Sequence, residues 1–317
     1  MSPSIGGRAA SAADVVTVAG FRVGWSLIRR MPERAAYALF DRIADLTVAR
    51  GGGAMMRSNY ATVRPELGDT ELDGLVREGM RAYMRYYCEA FRLPVLGPDE
   101  LAARVRAEGD GPVREILESG GSLVCFLGHM GNWDLAGAWS AVHLGPVTTV
   151  AERLKPEEVF EEFLAFRTGL GMTILPLTGG PPTFPLLREA TGRRGLIPLL
   201  SDRDLTRQGV EVDFCGEPAR MAAGPAALAL AEKRPLFPVS IRHEPLSGGR
   251  WGIVITFHDQ VAVPTSGTTR DKVAAMTQAC ADALGDAVRL HTADWHMLQP
   301  VFTKDLDQDR LVRAGAS

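Results

Sequence analysis

The chain has 317 residues, 46% of them hydrophobic and 23% charged, which is typical of a globular protein with a large core. A formal net charge of -3 and an isoelectric point near 6.1 argue against a nucleic-acid-binding protein, because such proteins usually carry a strongly basic surface. The four cysteines lie far apart without a C-x-x-C pair, which favours a reducing compartment and argues against a disulfide framework or a zinc site.

The first apolar segment, residues 15–28, ends before Arg29 and Arg30. It is too short to span a membrane, and it lacks the cleavage region of a secretory signal. Two interpretations stay open: an amphipathic helix packed on the core, or a helix that lies in the lipid interface through Phe21 and Trp25.

The first part of the chain reads as helical. Helices are predicted near residues 13–30 and 32–50, and further helical patterns follow up to about residue 120. We expect the second helix, with Phe40 and Val48, to share any lipid-contacting surface. Residues 1–120 are therefore predicted to form a helical N-terminal portion that includes membrane-contacting helices.

The pattern changes at residue 122 to short apolar runs separated by helical segments. These runs read SLVCFL, VTTVA, MTILPL, LIPLLS, PLFPVSIR and WGIVITF. The alternation predicts an α/β fold with a mixed, largely parallel central sheet flanked by helices. We expect residues 121–305 to form this core as one continuous domain, followed by a charged tail over residues 306–317.

Three polar clusters fall where predicted strands end: GHMGNWD, AERLKP and SDRDL. In open α/β sheets, ligands bind beyond the carboxyl ends of the strands, so the clusters predict one shared cleft. In the first cluster, His129 lies on the loop and Asp134 in the first turn of the next helix. That spacing lets the carboxylate reach back to the imidazole, which leaves the other ring nitrogen free to act as a base on an alcohol.

Alternatives to this acid–base interpretation remain at this point. One alternative is that His129 and Asp134 form a buried hydrogen bond without chemistry. A metal site is weakly supported, because adding His143 gives no familiar metal-binding spacing. The chain contains no G-x-S-x-G motif, which argues against a serine acyl-enzyme.

Taken in order, GHMGNWD, AERLKP, FLAFRTGLGMTILPL, SDRDLTRQGVEVDFCGEPARMAAGPAALA and ADWHMLQP resemble the lipid A biosynthesis acyltransferase family. The resemblance covers roughly residues 15–305 and is closer to the actinobacterial members, the phosphatidylinositol mannoside acyltransferases. It implies transfer of a fatty-acyl group, commonly palmitoyl, from acyl-CoA to a mannose hydroxyl of a phosphatidylinositol mannoside. The H-x4-D motif of the family falls on His129 and Asp134, as catalytic base and its orienting group.

Expectations about location and partners accompany the resemblance. We expect a monomeric peripheral protein at the cytoplasmic face of the cell membrane, with acyl-CoA as donor substrate and neither a cofactor, a metal ion nor a nucleic-acid partner. Because a sixteen-carbon chain loses on the order of 10 kcal/mol on leaving lipid, such an enzyme is expected at a membrane surface.

Several further residues are candidates for substrate binding. The family arginine falls on Arg167, and the glutamate of mannoside-acylating relatives is replaced by the shorter Asp202, with Asp204 as another possible acid. The full set of candidate substrate-binding residues is Arg167, Asp202, Glu152, Arg153 and Arg203. Each also has a structural interpretation, since helix-capping and surface ion pairs use the same residue types.

Three alternative functions would use most of the same residues. The acceptor could be a different glycolipid, the protein could bind lipids without turnover, or the same base could activate water in a thioester hydrolase. A short pair in the last motif, Asp294 and His296, is expected to anchor a loop more than to catalyse.

Overall fold

The computed structural model describes residues 24–151, 157–178, 182–204 and 209–306. The helices are α1 (described over residues 24–30), α2 (Glu33–Ala49), α3 (Ala54–Val63), α4 (Asp69–Arg92), α5 (Pro98–Ala103), α6 (Gly111–Glu118), α7 (Trp133–His143), α8 (Glu157–Gly169), α9 (Thr183–Thr191), α10 (Gly224–Glu232) and α11 (Thr269–Leu290). The strands are β1 (Val105–Glu108), β2 (Ser122–Leu127), β3 (Val147–Ala151), β4 (Met172–Pro176), β5 (Gly195–Leu200), β6 (Val210–Phe214), β7 (Glu217–Met221), β8 (Leu236–Leu246) and β9 (Arg250–Phe257).

Seven strands form one sheet in the order β1-β9-β8-β2-β5-β3-β4, and β6 and β7 form a separate antiparallel hairpin. Strands β8, β2, β5, β3 and β4 run parallel to one another, whereas β9 is antiparallel to β8 and parallel to β1. The predicted α/β class, with a mixed and largely parallel sheet between helices, is confirmed.

Strand β2 lies in the middle of the sheet, and all six of its residues are buried. Its continuous apolar run reflects burial on both faces, as expected for a parallel strand covered by helices. Val124 and Phe126 pack into the core on one face, and Leu123, Cys125 and Leu127 pack into the core on the other. A strand held this firmly gives the loop that follows it a fixed starting point.

Helix α7 begins directly after that loop. The side chain of Asn132 accepts a hydrogen bond from the backbone N–H of Leu135, which satisfies one of the free donors at the helix start. The structure thus confirms the predicted order of strand, tight loop and helix around the GHMGNWD motif.

Two segments differ from the sequence prediction. Strand β1 lies inside the portion expected to be helical, and it pairs with β9 at the sheet edge. Its four residues, VRAE, are short and mostly polar, so they carry no clear strand pattern. The β6–β7 hairpin was also not anticipated; its turn places Cys215 and Gly216 at positive φ.

The structure corrects the expected lipid contacts near the N-terminus. Trp25 is buried, packs against Phe91 and Phe166, and donates its indole N–H to the carbonyl oxygen of Phe91 at 2.7 Å. Phe40 is also buried, with its ring edge against Phe91. These side chains belong to the core because α1 and α2 pack on α4, whereas Phe21 lies outside the described residues.

Within the described ranges, no helix combines the length and the apolar character that crossing a membrane requires.

Candidate active site

The imidazole of His129 is held by the carboxylate of Asp202. Nδ1 of His129 lies 2.6 Å from Oδ1 of Asp202, and the backbone N–H of His129 donates to Oδ2 of the same carboxylate at 2.8 Å. Asp202 is fully buried, whereas 24% of the His129 side chain stays exposed. The arrangement fixes one ring nitrogen and leaves Nε2 on the accessible side, without a hydrogen-bond partner in the described part of the chain.

The sheet explains why these two residues meet. Strands β2 and β5 are parallel neighbours, and Leu127 pairs with Leu200 at their carboxyl ends. His129 and Asp202 each follow the paired leucine by two residues, so both leave the sheet at the same edge. This is the edge at which ligands bind in open α/β sheets.

Asp202 is ionised and further braced by Trp295, whose indole N–H donates to Oδ2 at 2.9 Å. Burial by itself would raise the pKa of Asp202, but the charge and hydrogen bonds of His129 and the bond from Trp295 lower it below its usual value. A buried carboxylate that remains ionised can hold the protonated Nδ1 and stabilise the imidazolium when Nε2 takes up a proton.

The structure does not bring Asp134 to His129, so the predicted pairing within the H-x4-D motif is wrong. Asp134 instead accepts hydrogen bonds from Nε of Arg167 at 2.6 Å, from Nη2 of Arg167 at 3.2 Å and from the hydroxyl of Tyr86 at 2.8 Å. The first turn of α7 directs the carboxylate towards α4 and α8, away from the end of β5.

The Arg167–Asp134 pair is a nearly buried bidentate interaction. Burial opposes the charged guanidinium, but Asp134 and Tyr86 outweigh it and raise the pKa of Arg167. Arg167 was predicted to bind substrate; its Nε and Nη2 donate to Asp134, and it also interacts with Tyr86. The pair ties α7 to α8.

The remaining predicted substrate-binding residues fall into two groups. Glu152 and Arg153 lie outside the described residues. Arg203 directly follows Asp202 and is half-buried, with no hydrogen bond or ion pair to the described part of the chain. Asp204 donates its backbone N–H to the carbonyl oxygen of Arg220 at 2.8 Å, which anchors the start of this segment.

A buried charged network supports the loop from behind. His243 on β8 lies between Asp294, with Nδ1 at 2.6 Å from Oδ1, and Glu89 of α4, with Nε2 at 3.4 Å from Oε2. The second contact is an ion pair without hydrogen-bond geometry. Burial disfavours a charged His243, yet the two carboxylates raise its pKa to about 9.

The network reaches the loop through two contacts. Nδ2 of Asn132 donates to Oε2 of Glu89 at 2.7 Å, and the backbone N–H of Gly131 donates to the carbonyl oxygen of Asp294 at 2.9 Å. The backbone N–H of His296 donates to the carbonyl oxygen of His129 at 2.8 Å. As expected from the sequence, Asp294 and His296 anchor this loop, although Asp294 pairs with His243.

Tyr86, Glu89, His243 and Trp295 were not predicted as parts of the site. Tyr86 and Glu89 are three residues apart on α4, a spacing that places both on one helical face. That spacing is the only signal available in the sequence, because their partners lie on elements whose arrangement cannot be read from the chain.

Several cavities lie near these elements. A narrow apolar cavity of about 40 Å³ lies between α7 and the sheet, and Leu127, Trp133 and Ile241 are among its lining residues. A larger one of about 550 Å³ is lined by residues that include Trp25, Arg29 and Phe166. The narrow cavity adjoins the loop that carries His129, because Trp133 lines the cavity and its ring stands edge-on to His129 at 5.7 Å between centroids.

By its family the chain is an acyltransferase. The sequence profile described as bacterial lipid A biosynthesis acyltransferase matches residues 14–304, and the chain belongs to that family. It is 40% identical over 301 residues to a phosphatidylinositol mannoside acyltransferase of Mycolicibacterium smegmatis, covering 95% of this chain and 96% of the relative. It is 39% identical over 293 residues to a protein of the same name from Mycobacterium tuberculosis, covering 92% and 90% of the two chains. The comparisons confirm the family resemblance.

Proposed function

We propose that the protein transfers a long-chain fatty-acyl group, palmitoyl in the simplest case, from acyl-CoA to a mannose hydroxyl of a phosphatidylinositol mannoside. The observation that carries this proposal is the accessible Nε2 of His129, whose opposite nitrogen is fixed by the buried carboxylate of Asp202. The acceptor and the class of reaction are taken from the names of the mycobacterial relatives, which are similar along nearly their whole length.

In the proposed reaction, Nε2 of His129 takes the proton of the sugar hydroxyl as its oxygen attacks the thioester carbonyl carbon. The carbonyl electrons move onto the oxygen, and they return when the C–S bond breaks. Coenzyme A leaves as a thiolate and receives the proton from the imidazolium. Asp202 keeps Nδ1 protonated and stabilises the charged ring. Because the sugar oxygen attacks the thioester directly, the enzyme forms no covalent intermediate.

We assign the narrow cavity under α7 to the acyl chain, because Trp133 lines it and stands beside His129. Its volume of about 40 Å³ is too small for a sixteen-carbon acyl chain. A long chain therefore enters only if the side chains under α7 move. Such movement fits a donor site that opens when the protein binds lipid or acyl-CoA.

We propose that the outward side of α2 contacts the cytoplasmic face of the cell membrane. Leu39, Ile43 and Leu46 recur at a spacing of four and three residues, and all three are exposed. Arg42 and Arg50 are exposed on the same helix or directly after it. An apolar stripe next to arginines suits the boundary between the acyl chains and the head groups of anionic lipids.

The proposal is tested by incubating purified protein with radiolabelled palmitoyl-CoA and phosphatidylinositol mannoside and identifying the lipid product by mass spectrometry. Wild-type protein is expected to yield the acylated mannoside, and His129→Ala, with an unchanged circular dichroism spectrum, is expected to yield none. The control is His291→Ala, which removes a partly exposed histidine at the end of α11.

Other outcomes separate the alternatives. Free palmitate in excess over acylated lipid would identify a hydrolase, and binding of the mannoside without any product would identify a lipid-binding protein. Transfer only when other glycolipids are supplied would overturn the assigned acceptor. Palmitoyl-acyl carrier protein, offered in place of palmitoyl-CoA, identifies the donor.

A further inference from the structure

The indole N–H of Trp133 is a buried donor without an acceptor in the described part of the chain. An unsatisfied buried N–H is costly and calls for an explanation. The indole N–H groups of Trp25 and Trp295, by comparison, both donate to oxygen. Because an indole can only donate, the missing partner must be an acceptor.

Trp133 lies next to His129, the proposed base. It is the first residue of α7, its ring stands edge-on to His129 at 5.7 Å, and it packs on Tyr86 with centroids 4.2 Å apart. The same residue lines the apolar cavity under α7. Tyr86 is itself held by its hydrogen bond to Asp134, so the ring of Trp133 packs on a fixed neighbour.

Three backbone N–H groups of the loop that carries His129 already have acceptors within the fold. The backbone N–H of His129 donates to Asp202, that of Met130 to Gly128, and that of Gly131 to Asp294. Acyl transfer concentrates negative charge on the thioester carbonyl oxygen, and enzymes normally direct prearranged donors at that position. Three backbone donors of this loop are committed to the fold, whereas the Trp133 indole is not.

We propose that Nε1–H of Trp133 donates a hydrogen bond to the thioester carbonyl oxygen and stabilises the negative charge that develops there. The inference rests on the proposed acyl transfer and adds a catalytic residue to it. The indole keeps its proton throughout: the hydroxyl proton goes to Nε2 of His129, and the carbonyl electrons return from the oxygen when the C–S bond breaks.

The test compares Trp133→Phe with wild type in the palmitoyl-CoA assay. Phenylalanine keeps an aromatic ring and removes the N–H, so kcat is expected to fall about 10²-fold while KM for palmitoyl-CoA changes little. Trp139→Phe is the matched control, because Trp139 is also buried on α7 but packs on His143. Wild-type kcat in a folded Trp133→Phe protein would overturn the proposal.

A second measurement reports on the bond itself. Palmitoyl-CoA labelled with ¹³C at the thioester carbonyl is bound without acceptor, and infrared difference spectra are recorded. We expect the C=O stretching frequency of the thioester to be lower in wild type than in Trp133→Phe. Equal frequencies would reject the hydrogen bond, since a packing role alone leaves the carbonyl unpolarised.

If Trp133→Phe does not fold, site-specific replacement by benzothienylalanine, in which sulfur takes the place of N–H, supplies both measurements. In all cases, failure of wild-type protein to transfer palmitate would reject the proposed function, whereas normal transfer by a variant without the N–H would reject only the role of Trp133.

Discussion

Asp202 accepts two hydrogen bonds from His129, one from the ring Nδ1 at 2.6 Å and one from the backbone N–H at 2.8 Å. The carboxylate therefore fixes the tautomer of the ring and the path of the loop together. Although this side chain is shorter than the glutamate that the resemblance implies for mannoside acyltransferases, it reaches the imidazole directly. The shortening thus leaves the contact with the base intact.

We predict that Asp202→Asn lowers kcat about 10³- to 10⁴-fold, because the amide no longer enforces the required tautomer or stabilises the imidazolium. The Nδ1 proton of His129 should be strongly deshielded in wild-type NMR spectra and lose that shift in this variant. Asp204→Asn is the control, since Asp204 lies two residues further along the same segment. Activity near that of wild type in Asp202→Asn would remove Asp202 from the mechanism.

Asp134→Asn is expected to act mainly on the fold. The substitution leaves the nearly buried Arg167 without its carboxylate partner, which should cost about 3 kcal/mol of unfolding free energy. The deshielded Nδ1 proton of His129 should persist, because Asp134 does not contact the ring.

Chemical denaturation and NMR of Asp134→Asn check both points. The double variant Asp134→Asn, Arg167→Gln should recover part of the lost stability, since it removes the unpaired charge. Loss of the His129 signal in folded Asp134→Asn would show that this carboxylate, too, orients the base.

Much of the site could be predicted from the sequence. The part that could not depends on tertiary contacts. The apolar run of β2, the tight loop and the cap of α7 are local features, so the position of His129 was predictable. Its partner was not, because the order of strands that makes β5 a neighbour of β2 has no local signature. Proximity in sequence favoured Asp134, but the packing of α7 against α4 and α8 decided otherwise.

The prediction that Trp25 and Phe40 contact lipid failed for a related reason. An apolar helix with a tryptophan and arginines fits the core as well as the interface. Which residues face outwards depends on how α1 and α2 dock on α4, and this docking buries Trp25 and Phe40.

His243 should make stability depend on pH. Its folded-state pKa of about 9 exceeds the ordinary value of 6.5, so its charge stabilises the fold fully below pH 6.5 and is lost as pH rises towards 9. His243→Gln is expected to cost most at pH 6, by up to about 3 kcal/mol, and progressively less up to pH 9.

Urea denaturation of wild type and His243→Gln at several pH values measures that difference. His296→Gln serves as the control, because its effect on the unfolding free energy should depend on pH in the opposite direction. Burial and the charge of His243 lower the pKa of His296 to about 3. Its folded state resists protonation, so wild-type His296 reduces stability as pH falls below 6.5. A His243→Gln penalty that does not vary with pH would mean that His243 is neutral in the fold.

The exposed stripe on α2 gives a prediction about membrane binding. Replacing Ile43 and Leu46 by glutamate should weaken binding to vesicles containing anionic lipid at least about tenfold, because it removes apolar contact and adds like charge. Co-sedimentation with vesicles measures the change. Val142→Glu, at an exposed site on α7, is the control, and unchanged binding of the stripe variant would place the membrane contact elsewhere.

Gly131 is predicted to be intolerant of any side chain. Its φ is +55°, and a Cβ atom there would lie 2.7 Å from the carbonyl oxygen of Ile241, a backbone atom that cannot turn away. Gly131→Ala should therefore displace the loop that carries His129 and lower both the melting temperature and kcat. The control is Gly74→Ala in α4, where an added Cβ meets nothing within 4 Å and should stabilise the helix by up to about 1 kcal/mol. Thermal melts and acyl-transfer rates of the two variants compare the positions, and wild-type behaviour of Gly131→Ala would show that the loop is not held at this distance from β8.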